Sequence, residues 1–230
     1  MANQSGQSSE MTSTGIVLHR ALWYDAFVWL VSRGREHSYR EKALDLASLK
    51  PGESVLDIGC GTGTLAIAAK RRVGHPGRVY GVDASPEMLA RASKKAKRAD
   101  AEIVFKNSIV EALPFPDGLF DVVLSTVMLH HLGRKARQQC AQEARRVLKP
   151  GGRVLAVDFA KPAQGKKSLL DHFHHHGYLN FEDLSALLTE AGLSILQSGA
   201  LGIGDLHFVL AAAPVGDTMT SGVTHGGGNR

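Results

Sequence analysis

Three groups of residues in this chain have types and spacings that could do chemistry. The first is Asp57-Ile58-Gly59-Cys60-Gly61-Thr62-Gly63, with three glycines in five positions. Glycines at this density permit a tight turn and let a bound molecule approach the backbone closely. The second is Asp83, twenty residues after Gly63. At that spacing a carboxylate ending the next strand can hold two ribose hydroxyls. Together they describe a site for a nucleoside-bearing cofactor. The third group is histidine-rich: His130 beside His131, and further on His172-Phe173-His174-His175-His176. A histidine near a reaction centre can act as general base. His172 and His176 are four apart and could share a metal on a helix. No cysteine or carboxylate pattern accompanies them, so a substrate-lining or solvated segment is preferred and no metal is assigned.

The glycine segment leaves two cofactors open. Gly61, Gly63 and Ala66 satisfy the dinucleotide fingerprint, which would make the chain an NAD-dependent oxidoreductase. Asp57, two residues before the first glycine, points elsewhere. Its carboxylate would repel a pyrophosphate but attract the cationic ammonium end of S-adenosylmethionine. A structural role is compatible with either: Asp57 could bond the loop amides and fix the turn.

These residues need strands and helices to hold them, and the pattern supplies both. A short apolar run, residues 54–58, enters the glycines as a buried strand. Residues 64–73 follow as a helix, closing on Lys70, Arg71 and Arg72, which suit its negative end. Strands are expected over 78–82, 102–106, 120–125 and 153–159, with a final pair over 193–197 and 206–212. Ser85-Pro86-Glu87 opens a helix with a capping residue and a first-turn proline. Further helices span about 134–148, stopped by Lys149-Pro150-Gly151-Gly152, and 181–191, capped by Asn180 and closed by Gly192. Alternation of this kind gives an α/β, doubly wound parallel sheet whose ligands bind beyond the strands' carboxyl ends. Residues 16–31 contain Trp23, Tyr24, Phe27 and Trp29 and are apolar around most of a helical circumference. A helix packed over the domain and a lid over an apolar substrate are both consistent with that.

Composition narrows the class. Two cysteines exclude a disulfide scaffold and fit a reducing compartment. Cys60 and Cys140 lack an adjacent base pattern and read as packing residues. Residues 1–14 are polar, without the apolar stretch of a secretory signal, and no run is long enough to span a membrane, so a cytoplasmic protein is expected. The net charge of +5 could suit nucleic acid or peripheral contact with an anionic membrane. The basic residues are instead spread over helix faces, as in Arg91, Lys94, Lys95, Lys97 and Arg98.

The segments Val55-Leu-Asp-Ile-Gly-Cys-Gly-Thr-Gly63, Gly81-Val-Asp-Ala-Ser-Pro-Glu-Met88, Glu111-Ala-Leu-Pro-Phe-Pro-Asp117, Phe120-Asp-Val-Val-Leu-Ser125 and Arg146-Val-Leu-Lys-Pro-Gly-Gly152 resemble the successive motifs of class I S-adenosylmethionine-dependent methyltransferases. More narrowly they resemble the ubiquinone/menaquinone branch. The resemblance implies a seven-stranded Rossmann-like sheet with its last strand antiparallel. It implies S-adenosylmethionine as cofactor and S-adenosylhomocysteine as product. In this resemblance Asp57, Gly59, Cys60 and Gly61 surround the methionine portion, and Asp83 holds the ribose. Ala84 and Met88 lie against the adenine, with Ser108 and Ile109 on its other side. Many relatives have an aspartate at the position of Ser108. Ser125 would offer its carbonyl to the methionine ammonium, and His130 and Tyr24 would stand at the reaction centre. The expected organisation is a tail over 1–14, a helical lid over 15–39, the catalytic domain over 40–213 and a second tail over 214–230. The expected acceptor is a small apolar or amphipathic molecule, quinone-precursor-like or lipid-like. Nucleic acid is disfavoured, because Ser125-Thr126-Val127-Met128 replaces the Asn/Asp-Pro-Pro-aromatic turn of amino-group base methylases and the Pro-Cys pair of cytosine enzymes is missing.

Overall fold

The computed structural model describes residues 36–159, 179 and 181–216. Helix α1 (Glu36–Ala47) opens this region and adds to the helices expected from sequence. Its Tyr39, Ala43, Leu44 and Ala47 fall on one helical face, and all are buried. The boundary expected between residues 39 and 40 falls inside α1. The aromatic stretch over 16–31, with Tyr24, and the run His172 to His176 lie outside the described residues.

Strand β1 (Ser54–Ile58) carries the chain into the glycine turn, and helix α2 (Thr64–Val73) carries it out. Next come β2 (Arg78–Asp83), α3 (Pro86–Arg98), β3 (Val104–Asn107) and β4 (Phe120–Thr126). A single 3-10 turn, Leu129–His131, then leads to α4 (Arg134–Val147) and β5 (Leu148–Phe159). The described fold closes with α5 (Phe181–Glu190), β6 (Ser194–Ala200) and β7 (Leu206–Ala212). The seven strands form one sheet in the order β3-β2-β1-β4-β5-β7-β6. Neighbours from β3 through β5 are parallel, and β7 runs antiparallel between β5 and β6. The expected antiparallel last strand is therefore present, inserted as the sixth strand of the order.

Strand direction of winding reverses between β1 and β4, so a crevice opens at the carboxyl ends there. Side chains of β1 alternate between two cores. Leu56 and Ile58 face a cluster shared with α4 and α5, and Val55 faces one shared with α1 and α2. Burial on both faces explains why these strands read as continuous apolar runs.

Two local outcomes differ from the sequence pattern. β3 starts at Val104 rather than 102. The Lys149-Pro150-Gly151-Gly152 stop does not separate α4 from β5 by a free turn. Leu148 already pairs with Phe120, the register then slips, and pairing resumes at Val122 with Arg153. Proline without an N–H and Gly151 at φ 72 suit an irregularity within the strand. Lys149 Nζ holds both carboxylate oxygens of Asp121 across it, at 2.7 and 2.8 Å.

Candidate functional site

The glycine turn is built on positive backbone angles, with φ of 69 at Gly59, 53 at Gly61 and 75 at Gly63. Two of these glycines are also held by space. A Cβ on Gly59 would run into the side chain of Met128, and one on Gly63 would sit 2.9 Å from Ala92 Cβ and from Phe105 Cζ. Gly63 caps α2 without a side-chain bond, so the turn delivers the chain directly into a helix N-terminus, where backbone N–H groups suit negative charge.

The Ala66 N–H of that helix terminus lies near enough to Asp57 to favour its charged form slightly. Its side chain is 1% exposed and its Oδ2 has no hydrogen-bond partner. Burial pushes its carboxyl up to about 7; the Arg40 guanidinium of α1 works against this, and the Asp83 carboxylate adds to it. An acid held in this way, with an orphaned oxygen at the strand end, has the chemistry to accept a hydrogen bond from a cationic group.

Asp83 ties the turn to the second strand end. Its Oδ2 accepts from Gly61 N–H at 2.9 Å and its Oδ1 from Ser85 N–H at 2.8 Å. Burial raises its pKa, and the two backbone donors partly offset that. Ser85 in turn caps α3 by accepting from Met88 N–H at 3.3 Å. Ala84 is half-buried and Met88 buried beside this cap. Ser108 joins from the third strand: its N–H donates to Asp83 O, and its hydroxyl donates to Ile109 O and Ala112 O, at 3.2 and 3.0 Å. Asp83, Ala84, Met88, Ser108 and Ile109 are thus gathered around one strand end. The Cys60 thiol is buried against Gly81 and reaches Gly61 O within the turn at 3.9 Å, and burial pushes it well above its usual range.

At β4, Ser125 stands level with Ile58 of β1 and Ala156 of β5. Its buried hydroxyl has no partner. Val127, just beyond, has φ 53, a strained conformation for a β-branched residue. That bend brings Met128 against the glycine turn and starts the 3-10 turn of His130. His130 is 5% exposed, and its Nδ1 lies 2.7 Å from Asp158 Oδ1. Its ring packs on His131, with centroids 3.8 Å apart, and edge-on to Phe159 at 5.5 Å. Arg137 of α4 donates through Nε to Leu129 O at 2.9 Å and reaches His130 O at 3.5 Å.

Asp158, Arg40 and Met128 are not among the site residues expected from sequence. Asp158 does carry a signal. Like Asp57 and Asp83 it is an acid near the carboxyl end of a strand, and its position in Val157-Asp158-Phe159 could have marked it. Among the described residues no set of three His, Cys, Asp or Glu side chains could hold a metal ion, and no helix is long and apolar enough to cross a membrane.

This order of strands, with a glycine turn and acids at adjacent strand ends on one edge, defines the methyltransferase variant of the doubly wound fold. The comparisons with known proteins agree. Residues 55–152 match the family model described as a methyltransferase domain. The demethylmenaquinone methyltransferase of Thermus thermophilus is 37% identical over 159 residues, covering 69% of this chain and 70% of that one. The 2-phytyl-1,4-naphtoquinone methyltransferase of Trichormus variabilis is 36% identical over 141 residues, covering 60% of this chain and 61% of the relative's length. A solved methyltransferase dependent on S-adenosylmethionine, from Aquifex aeolicus, superposes with a TM-score of 0.65 at 25% identity, covering 75% of this chain and 88% of that one. The chain belongs to the class I S-adenosylmethionine-dependent methyltransferases. S-adenosylmethionine is its cofactor.

Proposed function

We propose that this enzyme methylates a small apolar acceptor related to a quinone precursor. The observation that carries the reading is the orphaned, buried Asp57 oxygen beside the glycine turn, in a chain whose relatives bear the names of naphthoquinone-type methyltransferases. When bound, the cofactor supplies a methyl group already activated on a sulfonium. The residues of this chain then bind, orient and exclude water.

In this reading Asp57 receives the methionine ammonium, assisted by the carbonyl of Ser125, and Gly59 and Gly61 give the backbone close access. Asp83 exchanges part of its hold on Gly61 and Ser85 for the ribose hydroxyls. Ala84 and Met88 pack on one side of the adenine, with Ser108 and Ile109 on the other. The Ser108 hydroxyl keeps lone pairs available, although both of its donor contacts are local. His130 stands at the acceptor. Tyr24, which lies outside the described residues, is the second residue this reading assigns to the acceptor.

The test is direct. The protein is incubated with S-adenosylmethionine and a short-chain 1,4-naphthohydroquinone lacking its ring methyl, and S-adenosylhomocysteine and methylated product are measured. Product heavier by one methylene group is expected. Cofactor binding without turnover on a panel of such hydroquinones would overturn the acceptor assignment.

A further inference from the structure

We propose that Asp158 is a positioning residue that fixes His130 as the proton acceptor of methyl transfer, so that the acceptor is a hydroquinone-type phenol or enol. The inference rests on the transfer reading above. Its evidence is the arrangement around one buried carboxylate.

Asp158 is 2% exposed and collects three donors. Its Oδ1 takes His130 Nδ1 at 2.7 Å and Phe159 N–H at 2.8 Å, and its Oδ2 takes His130 backbone N–H at 3.1 Å. Burial alone would raise its pKa, but His130 and the two backbone donors outweigh that and hold it below the usual carboxylate range. An ionised carboxylate can only accept. At 2.7 Å from that carboxylate, Nδ1 carries a proton, which leaves Nε2 as the ring nitrogen that exchanges one. A carboxylate on one ring nitrogen selects the tautomer whose other nitrogen is basic and stabilises the imidazolium once it forms.

A buried carboxylate needs a reason to stay charged, and a merely structural tie between the 3-10 turn and β5 does not require one. An asparagine would fill the same space, but its amide would set a donor against at least one of the three N–H groups in either orientation. The arrangement is specific for aspartate. Among the described residues, the charged and titratable groups around the pair include Arg137 of α4 with Asp183 of α5 beyond it, His131 on the same turn, and His207 of β7, which pairs in register with Asp158. Phe159 packs edge-on against the His130 ring.

The methyl–sulfur bond breaks as the methyl–acceptor bond forms, and the sulfonium charge is discharged. The proton lost by the acceptor passes to His130 Nε2, giving an imidazolium beside Asp158, and then leaves to solvent. An acceptor with no proton to lose would gain nothing from the pair.

The experiment uses the full chain with nitrogen-labelled histidine, with and without Asp158→Asn and Asp158→Glu. Wild-type His130 is expected as the Nδ1–H tautomer at neutral pH; an Nε2–H tautomer overturns the proposal whatever the acceptor proves to be. On the naphthohydroquinone, Asp158→Asn should lower kcat at least about tenfold, with cofactor affinity within about twofold. The ascending limb of its pH–rate profile should move to lower pH, because a negative charge beside the imidazolium is lost. Asp158→Glu should recover part of the rate. A folded Asp158→Asn with wild-type kcat and profile overturns the proposal, as does a limb that moves instead with His207→Gln or His131→Gln. Failure of the wild-type enzyme on every hydroquinone would sink the acceptor reading separately, leaving the tautomer to decide the role of Asp158.

Discussion

Asp57 and Asp83 share one strand-end neighbourhood, Asp83 held by two backbone donors and Asp57 buried with the Arg40 guanidinium acting on it. Asp57 should make both stability and binding depend on pH. Its carboxyl is raised to about 7 in the fold, whereas an unfolded chain ionises it near the ordinary carboxylate value. Between those values the folded protein keeps a proton that the unfolded chain has released. The contribution of Asp57 to stability therefore falls as pH rises through that window, and the cost is fully present above it. Cofactor binding should run the other way, since a cationic group favours the ionised form. Affinity measured by calorimetry from about pH 5.5 to about pH 8 should rise and then level, and Asp57→Asn should bind weakly with a flat profile. A wild-type affinity independent of pH would remove the ammonium from Asp57. For Asp83→Ala we expect affinity to fall more than about tenfold, as charge-assisted bonds to the ribose worth about 1.5–3 kcal/mol are lost. The thermal midpoint should fall as well, because Gly61 and Ser85 N–H lose their acceptor. Unchanged affinity in that folded variant argues against the ribose assignment.

At the scale of elements, the site depends on the glycine turn and the β4 end meeting through Gly59 and Met128. Gly59→Val combines a β-branched side chain at positive φ with a collision against Met128. Cofactor binding should be lost and stability reduced. Pairing Gly59→Ala with Met128→Ala isolates the steric part: the double variant should recover stability relative to Gly59→Ala alone if the collision dominates. Purely additive effects in thermal unfolding would leave backbone strain as the whole cause. A second junction is Arg153, whose guanidinium donates to Ala47 O at 2.6 Å, to Ser48 O at 2.8 Å and to both oxygens of Glu53. It fastens the end of α1 to β5 and to the start of β1. Arg153→Met should cost about 1–3 kcal/mol in denaturant unfolding while leaving the cofactor edge intact.

For the whole molecule, the question is how much of the chain before α1 the folded unit needs. α1 places Tyr39, Ala43, Leu44 and Ala47 in the core, so the folded unit extends at least to that helix. Removing the residues before Asp25 should leave the melting transition and cofactor affinity nearly unchanged while methyl transfer falls steeply. Removing all residues through Ala47 should instead destabilise the sheet, because an apolar helix face is lost. Joint loss of stability, binding and turnover in the shorter truncation would assign residues 16–31 to the core. The matched relatives bear on size: this chain spans 61% of the length of the Trichormus relative and 70% of the Thermus one.

The residues alone determined the order of strands and helices from β1 to β7 and the glycine turn with Asp57 and Asp83. These are local: a buried parallel strand is an apolar run, a turn at positive φ needs glycine, and a helix start shows its cap. The motif resemblance added the family and its cofactor. Tertiary structure alone decided which distant residues meet. Asp158 reaches His130 from 28 residues away, and Arg40 faces Asp57 from another element. Neither spacing has a period that a sequence can display. The same holds for α1, whose apolar face is short and set among charges, and for the Pro150-Gly151 segment, which reads as a stop until β4 is beside it. Burial explains the rest. The Asp57 carboxyl is raised and the Asp158 carboxyl lowered by surroundings that exist only once the sheet has brought β1, β4 and β5 together with their strand ends level.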